Sequence, residues 1–60
     1  MVPGKKATVL AEVAEHGGQI KLGGEVWTAR ALVPTEVYLP GTTVTVMEID
    51  GGRAVVWRGP

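Results

Sequence analysis

Three observations on this 60-residue chain predict an all-β fold, a small barrel of five short strands with no substantial helix. Apolar and polar residues alternate with a period of two over most of the length, the signature of half-buried strands. Nine glycines cut that alternation into short segments, and Gly-Gly or Pro-Gly pairs stand where hairpin turns are needed. Downstream of residue 14 no amphipathic helical stripe exists to cover an open sheet, so closure into a barrel is the economical way to remove exposed edges.

The first segment, Lys6 to Ala14, fits two templates. Ala7, Leu10, Ala11 and Ala14 have helical spacing, whereas Ala7, Val9, Ala11 and Val13 alternate strictly. The β-branched Thr8, Val9 and Val13 favour a strand, and an isolated helix would need a sheet face to cover among downstream segments that are all strand-like. Glu15 to Gly18 reads as a turn and Gln19 to Leu22 as a second strand. Gly23-Gly24 suits a two-residue hairpin loop, which demands positive φ without a Cβ penalty.

A third strand, Glu25 to Leu32, divides into Val26, Thr28, Arg30 and Leu32 on one face and Trp27, Ala29 and Ala31 on the other. One large ring beside two methyl-sized side chains matches a cramped barrel interior. Pro34 then biases Val33 toward an extended backbone, and the connection to Leu39 is too short for a helix. Pro40-Gly41 fits the centre of a type II turn. It launches a fourth strand, Thr42 to Ile49, in which Ile49 has the opposite parity to Val44 and Val46, so a bulge is expected near Met47-Glu48. Asp50-Gly51-Gly52 is a strong hairpin signal before the fifth strand, Arg53 to Arg58, where Val55 and Trp57 share a face. Trp27 and Trp57 are both expected to be claimed in part by the core. Residues 1–5 read as a disordered or ragged start of an excised piece, 6–58 as the barrel and 59–60 as a tail. An SH3-like barrel has a similar strand count and is not separated from an OB-type barrel by this pattern.

A chain this short buries only about 60% of the surface it exposes when unfolded, so its stability margin is thin. Its 45% hydrophobic content is nonetheless far above that of a disordered chain. The absence of Cys excludes disulfides and thiolate metal sites. Six basic and six acidic residues are scattered to a net charge of zero, which leaves no electrostatic footprint for nucleic acid or an anionic membrane. No apolar run approaches the ~20 residues needed to span a bilayer.

The chemical inventory is equally sparse. There is no Ser, Cys or Asn, so the common nucleophiles are missing. His16, the single imidazole, sits in a turn without partners at ligand spacing. The carboxylates Glu12, Glu15, Glu25, Glu36, Glu48 and Asp50 fall on polar faces or in turns. Gly23-Gly24 leads into a strand, whereas a phosphate loop leads into a helix. OB-type barrels bind single-stranded nucleic acid by stacking bases on aromatics in a basic groove, but three rings and zero net charge are a poor match. That reading, or binding of another small ligand, is kept as the alternative.

The runs "GGQIKLGGEVWTARA" and "LPGTTVTVMEIDGGRAVVW" resemble the C-terminal domain of the NfeD family over about residues 7 to 58. The matching positions are Gly18, Ile20, Leu22, Gly24-Glu25, Trp27 and Ala29, then Pro40-Gly41, Val44, Val46, Gly52, Val55 and Trp57. Family members often carry Pro before the second strand, where this chain has Glu15-His16-Gly17. The Val33 to Leu39 connection also lacks the helix that larger OB folds place there. The resemblance implies a five-stranded OB-fold-like β-barrel attached, in full-length relatives, to membrane-spanning helices and in long forms to a serine-protease domain. It also implies association with stomatin-like, SPFH-domain membrane proteins.

The expected function is therefore a non-catalytic interaction module with no cofactor, no metal and no nucleic-acid partner. The resemblance implies a parent that is membrane-anchored, on an unassigned side, while the segment itself is expected to make no membrane contact. Thr28 and Arg30 are candidate partner contacts because they face away from Trp27. Tyr38 is a candidate as an exposed aromatic anchor, with a lid over one barrel end as its competing role. Gly23, Gly24, Trp27, Ala29, Pro40, Gly41, Gly51, Gly52, Val55 and Trp57 are assigned structural roles.

Overall fold

In the computed structural model, which describes residues 4–59, the five alternating segments become β1 (Lys6–Ala14), β2 (Gly17–Leu22), β3 (Glu25–Ala31), β4 (Thr43–Asp50) and β5 (Arg53–Trp57). They close a barrel in the order β1-β2-β3-β5-β4. Every pairing is antiparallel except β3 with β5, which run parallel. This is a small OB-fold-like barrel, and no helix occurs among the described residues. The expected raggedness of residues 1–3 and the Pro60 end of the tail lie outside the described residues. Gly4 and Lys5, expected to precede the domain, already pair with it: Gly4 N–H donates to the Val46 carbonyl at 2.6 Å, and Val46 N–H to that of Lys5 at 2.8 Å.

β1 resolves as a strand because both of its edges are used. On one side it pairs with β2 through two register shifts, between Val9 and Ala11 and between Ala11 and Ala14, which bend it around the barrel. On the other side one register runs from Lys6 opposite Thr45 to Thr8 opposite Thr43. It continues through the apparent loop, where Val9 N–H donates to the Thr42 carbonyl at 2.9 Å and Gly41 N–H to that of Val9 at 2.8 Å. The ladder ends at the reciprocal bridge between Val13 and Tyr38, with N–H to O distances of 2.9 and 2.8 Å.

The turns follow the glycines. Gly23 and Gly24 have φ of 57° and 95°, as a two-residue hairpin loop requires. Thr42 N–H closes on the Leu39 carbonyl at 3.1 Å around Pro40-Gly41, with Gly41 at φ 93°. Gly18 serves a different purpose. A Cβ built there would lie 2.6 Å from the Val13 Cα and closer still to the Glu12 carbonyl oxygen, so only glycine lets β2 cross the bent part of β1 at this distance.

The interior is filled by Val9, Val13, Ile20, Ala29, Ala31, Val44, Val46, Ala54 and Val56, with Trp27 half-buried against them. The register shift expected in β4 occurs between Val46 and Glu48. It turns Ile49 to the same side as the buried Ala54 it opposes, but near the barrel rim, where it stays 37% exposed. β5 departs from expectation. Ala54 and Val56 oppose Ala29 and Ala31 and point inward, so Val55 and Trp57 face outward and the indole of Trp57 is not part of the interior. The cause is the parallel pairing of β3 and β5, which aligns the small interior residues of one strand with the even positions of the other.

Candidate functional site

The outer surface of β3, β5 and β4 is a continuous sheet face whose rows are set by register. Leu32 N–H bonds to the Val56 carbonyl at 2.8 Å, which extends the parallel pairing and brings Leu32 level with Trp57. Trp57 opposes Thr45, and Thr45 opposes Lys6. In the next row Arg30 and Glu48 flank Val55. Asp50 and Arg53 form the third.

Val55 faces outward and is nevertheless 0% exposed. Arg30 explains part of this cover. Its Nη2 reaches an Asp50 carboxylate oxygen at 3.2 Å, so the side chain arches from β3 over β5 to β4 and lays its methylene stem above Val55. Asp50 is far more exposed than Arg30, which keeps the ion pair solvent-screened and weak on its own. The same face leaves Leu32 40% and Met47 37% exposed around the half-buried Trp57.

The three candidate contacts do not converge. Thr28 is exposed and Arg30 partly so, both on the outward side of β3. Tyr38 is only 3% exposed, which corrects its reading as an exposed anchor. Its bridge to Val13, an inward residue, turns the ring into the barrel end, where it acts as a plug. The phenol donates to the Glu36 carboxylate and meets the Arg58 backbone. Burial first, and the Glu36 contact second, raise its pKa above the ordinary 10.0, against the opposing pull of the Arg58 backbone and charge. Trp27 sits elsewhere, its Nε1 donating to Glu25 Oε1 at 3.3 Å.

Among the described residues no polar or charged residue is buried, and no three His or acidic side chains gather as a metal site would require. No helix of the described residues is long and apolar enough to cross a membrane. Sequence reasoning passed over the row of Leu32, Trp57 and Lys6, because only the β3 to β5 and β1 to β4 pairings assemble it from three distant segments.

The family model described as "NfeD-like C-terminal, partner-binding domain" matches residues 2–58. No curated protein matches the chain. Among solved structures, the soluble domain of a membrane protein implicated in regulation of membrane protease activity from Corynebacterium glutamicum is 40% identical, covers 92% of this chain and 87% of its own, and superposes with a TM-score of 0.89. The C-terminal domain of stomatin operon partner protein 1510-C from Pyrococcus horikoshii is 32% identical, with 97% and 88% coverage and a TM-score of 0.84. Sequence match and barrel agree over nearly the same residues: the chain belongs to the NfeD family, as its C-terminal, partner-binding domain.

Proposed function

We propose that this domain is a non-catalytic interaction module of a membrane-anchored NfeD-type protein, and that its partner is a stomatin-like, SPFH-type membrane protein. The observation that carries this reading is the family match across residues 2–58, whose description is a partner-binding domain. A relative named as a stomatin operon partner, 32% identical here, supports the choice of partner. Attachment to a membrane-anchored parent is supported by the relative that is the soluble domain of a membrane protein. The outward side of β3, with Thr28 and Arg30, is the proposed contact region.

The test is cross-linking and pull-down of the domain against soluble fragments of stomatin-like proteins, beside salt titrations with single-stranded DNA and RNA. Saturable binding of a protein fragment, with negligible nucleic-acid binding, is the expected result. Micromolar nucleic-acid binding that weakens steeply with salt, and no protein partner, would reverse the assignment to the single-stranded nucleic-acid alternative.

A further inference from the structure

A tryptophan on the outside of a barrel calls for an explanation that the fold does not supply. Trp57 is absent from the interior cluster, yet it stands in a row with Leu32, beside Met47 and above the sealed Val55. An aromatic ring, an arginine and a methionine around a dry centre is the composition that enriches the middle of protein interfaces.

The charges are sorted as well. Although the chain is neutral, this face and its β1 edge hold three basic residues, Lys6, Arg30 and Arg53, against two acidic ones, Glu48 and Asp50. Lys5, Lys21 and Arg58 are then left with Glu12, Glu15, Glu25 and Glu36 on the rest of the barrel, Arg58 against the Tyr38 plug, so one unit of net positive charge on this side balances one of negative charge on the other. Lys6 stands in the row of the ring, across Thr45, Arg53 lies further along β5 on the same face, and both are exposed.

We propose that the outer face of β3, β5 and β4, centred on Trp57, docks an acidic peptide segment of the partner that places an apolar side chain against the indole and Leu32. The proposal rests on the partner-binding reading above and adds to it the surface and the chemistry of the occupant. A protein segment fits better than a nucleic acid. Only one ring is offered for stacking, and Leu32 and Met47 favour contact with an apolar side chain, which a phosphate backbone does not supply. Acidic side chains would steer onto Lys6 and Arg53, with a salt-sensitive association rate.

The experiment uses amide and indole NMR shifts of the 60-residue domain with three probes: a short peptide of alternating Glu and Leu, its Lys and Leu counterpart, and single-stranded oligothymidylate. In parallel, stomatin-like protein fragments are titrated against wild type, Trp57→Ala, the double charge reversal Lys6→Glu with Arg53→Glu, and Leu39→Ser on a different surface. The expected result is that the acidic peptide shifts the Trp57 indole and the amides around Leu32. Fragment affinity is expected to drop at least tenfold in Trp57→Ala and in the charge reversal, and to stay unchanged in Leu39→Ser. The charge reversal alters only exposed side chains and so guards against a Trp57→Ala that fails to fold.

A fragment that binds wild type and all variants alike overturns the docking surface and leaves the partner reading standing. A fragment that does not bind, with the acidic peptide still mapping to Trp57, defeats the named partner and upholds the surface. Equal or tighter binding of the basic peptide or the oligonucleotide at this face overturns the proposal.

Discussion

Gly18→Ala isolates the most demanding packing contact in the barrel. The added Cβ would meet the Glu12 carbonyl oxygen, the Val13 Cα at 2.6 Å and the Val13 Cγ2 at 2.7 Å. Only the last of these can rotate away; the other two are backbone in the bent part of β1. Overpacking costs about 1 to 3 kcal/mol when side chains absorb the strain, so backbone contacts place this substitution at the top of that range, about 3 kcal/mol. A 60-residue domain has only about 3 to 9 kcal/mol in total. The comparison is Gly23→Ala, where nothing lies within 4 Å and the penalty is the positive φ alone, about 1 to 2 kcal/mol. Urea unfolding followed by tryptophan fluorescence should show a midpoint about 3 M lower for Gly18→Ala, taking a slope near 1 kcal/mol/M for so small a protein. Adding Val13→Ala should not rescue it, since the backbone contacts remain. A Gly18→Ala domain as stable as Gly23→Ala would refute the close crossing of β1 and β2.

Trp27→Ala should cost roughly 3 kcal/mol, the low end for a large aromatic because the ring is only half-buried, read from the same urea curves. For Tyr38 the raised folded pKa means the folded state holds its proton more tightly than the unfolded chain. The associated stability is therefore intact below about pH 10 and is lost as pH climbs through the higher folded value. Phenolate absorbance should show Tyr38 ionising later than free tyrosine, and Tyr38→Phe should remove that alkaline loss. A double-mutant cycle on Arg30 and Asp50 should return about 0.2 to 1 kcal/mol, shrinking with salt, as expected of a pair with an exposed carboxylate.

Most strands were legible because each alternates on one face and ends in glycine. The β4 bulge was legible too, from the parity of Ile49 alone. The orientation of β5 was not, because Ala54, Val55 and Val56 are apolar in succession and parity carries no information there. Tyr38 was ambiguous for a related reason: its loop has no periodicity, and its burial depends on a bridge to Val13, a residue 25 positions away. The candidate surface was the least legible part. Thr28 and Arg30 follow from β3, but the partners that give them context, Trp57, Lys6 and Asp50, arrive through long-range pairings.

The ladder from β1 into the segment before β4 has a kinetic consequence. Residues 38–42 would be taken for a mobile connection, yet the amides of Tyr38 and Gly41 are bonded to the same strand as those of β4. Exposing them to solvent means peeling the chain from β1 and pulling the Tyr38 plug, which opens the barrel end. Their hydrogen exchange should therefore approach the slow rate of global unfolding, while Gly23 and Gly51, at the hairpin tips, exchange freely. A stretch with the look of a hinge thus behaves as a latch, and the whole barrel releases as one cooperative unit.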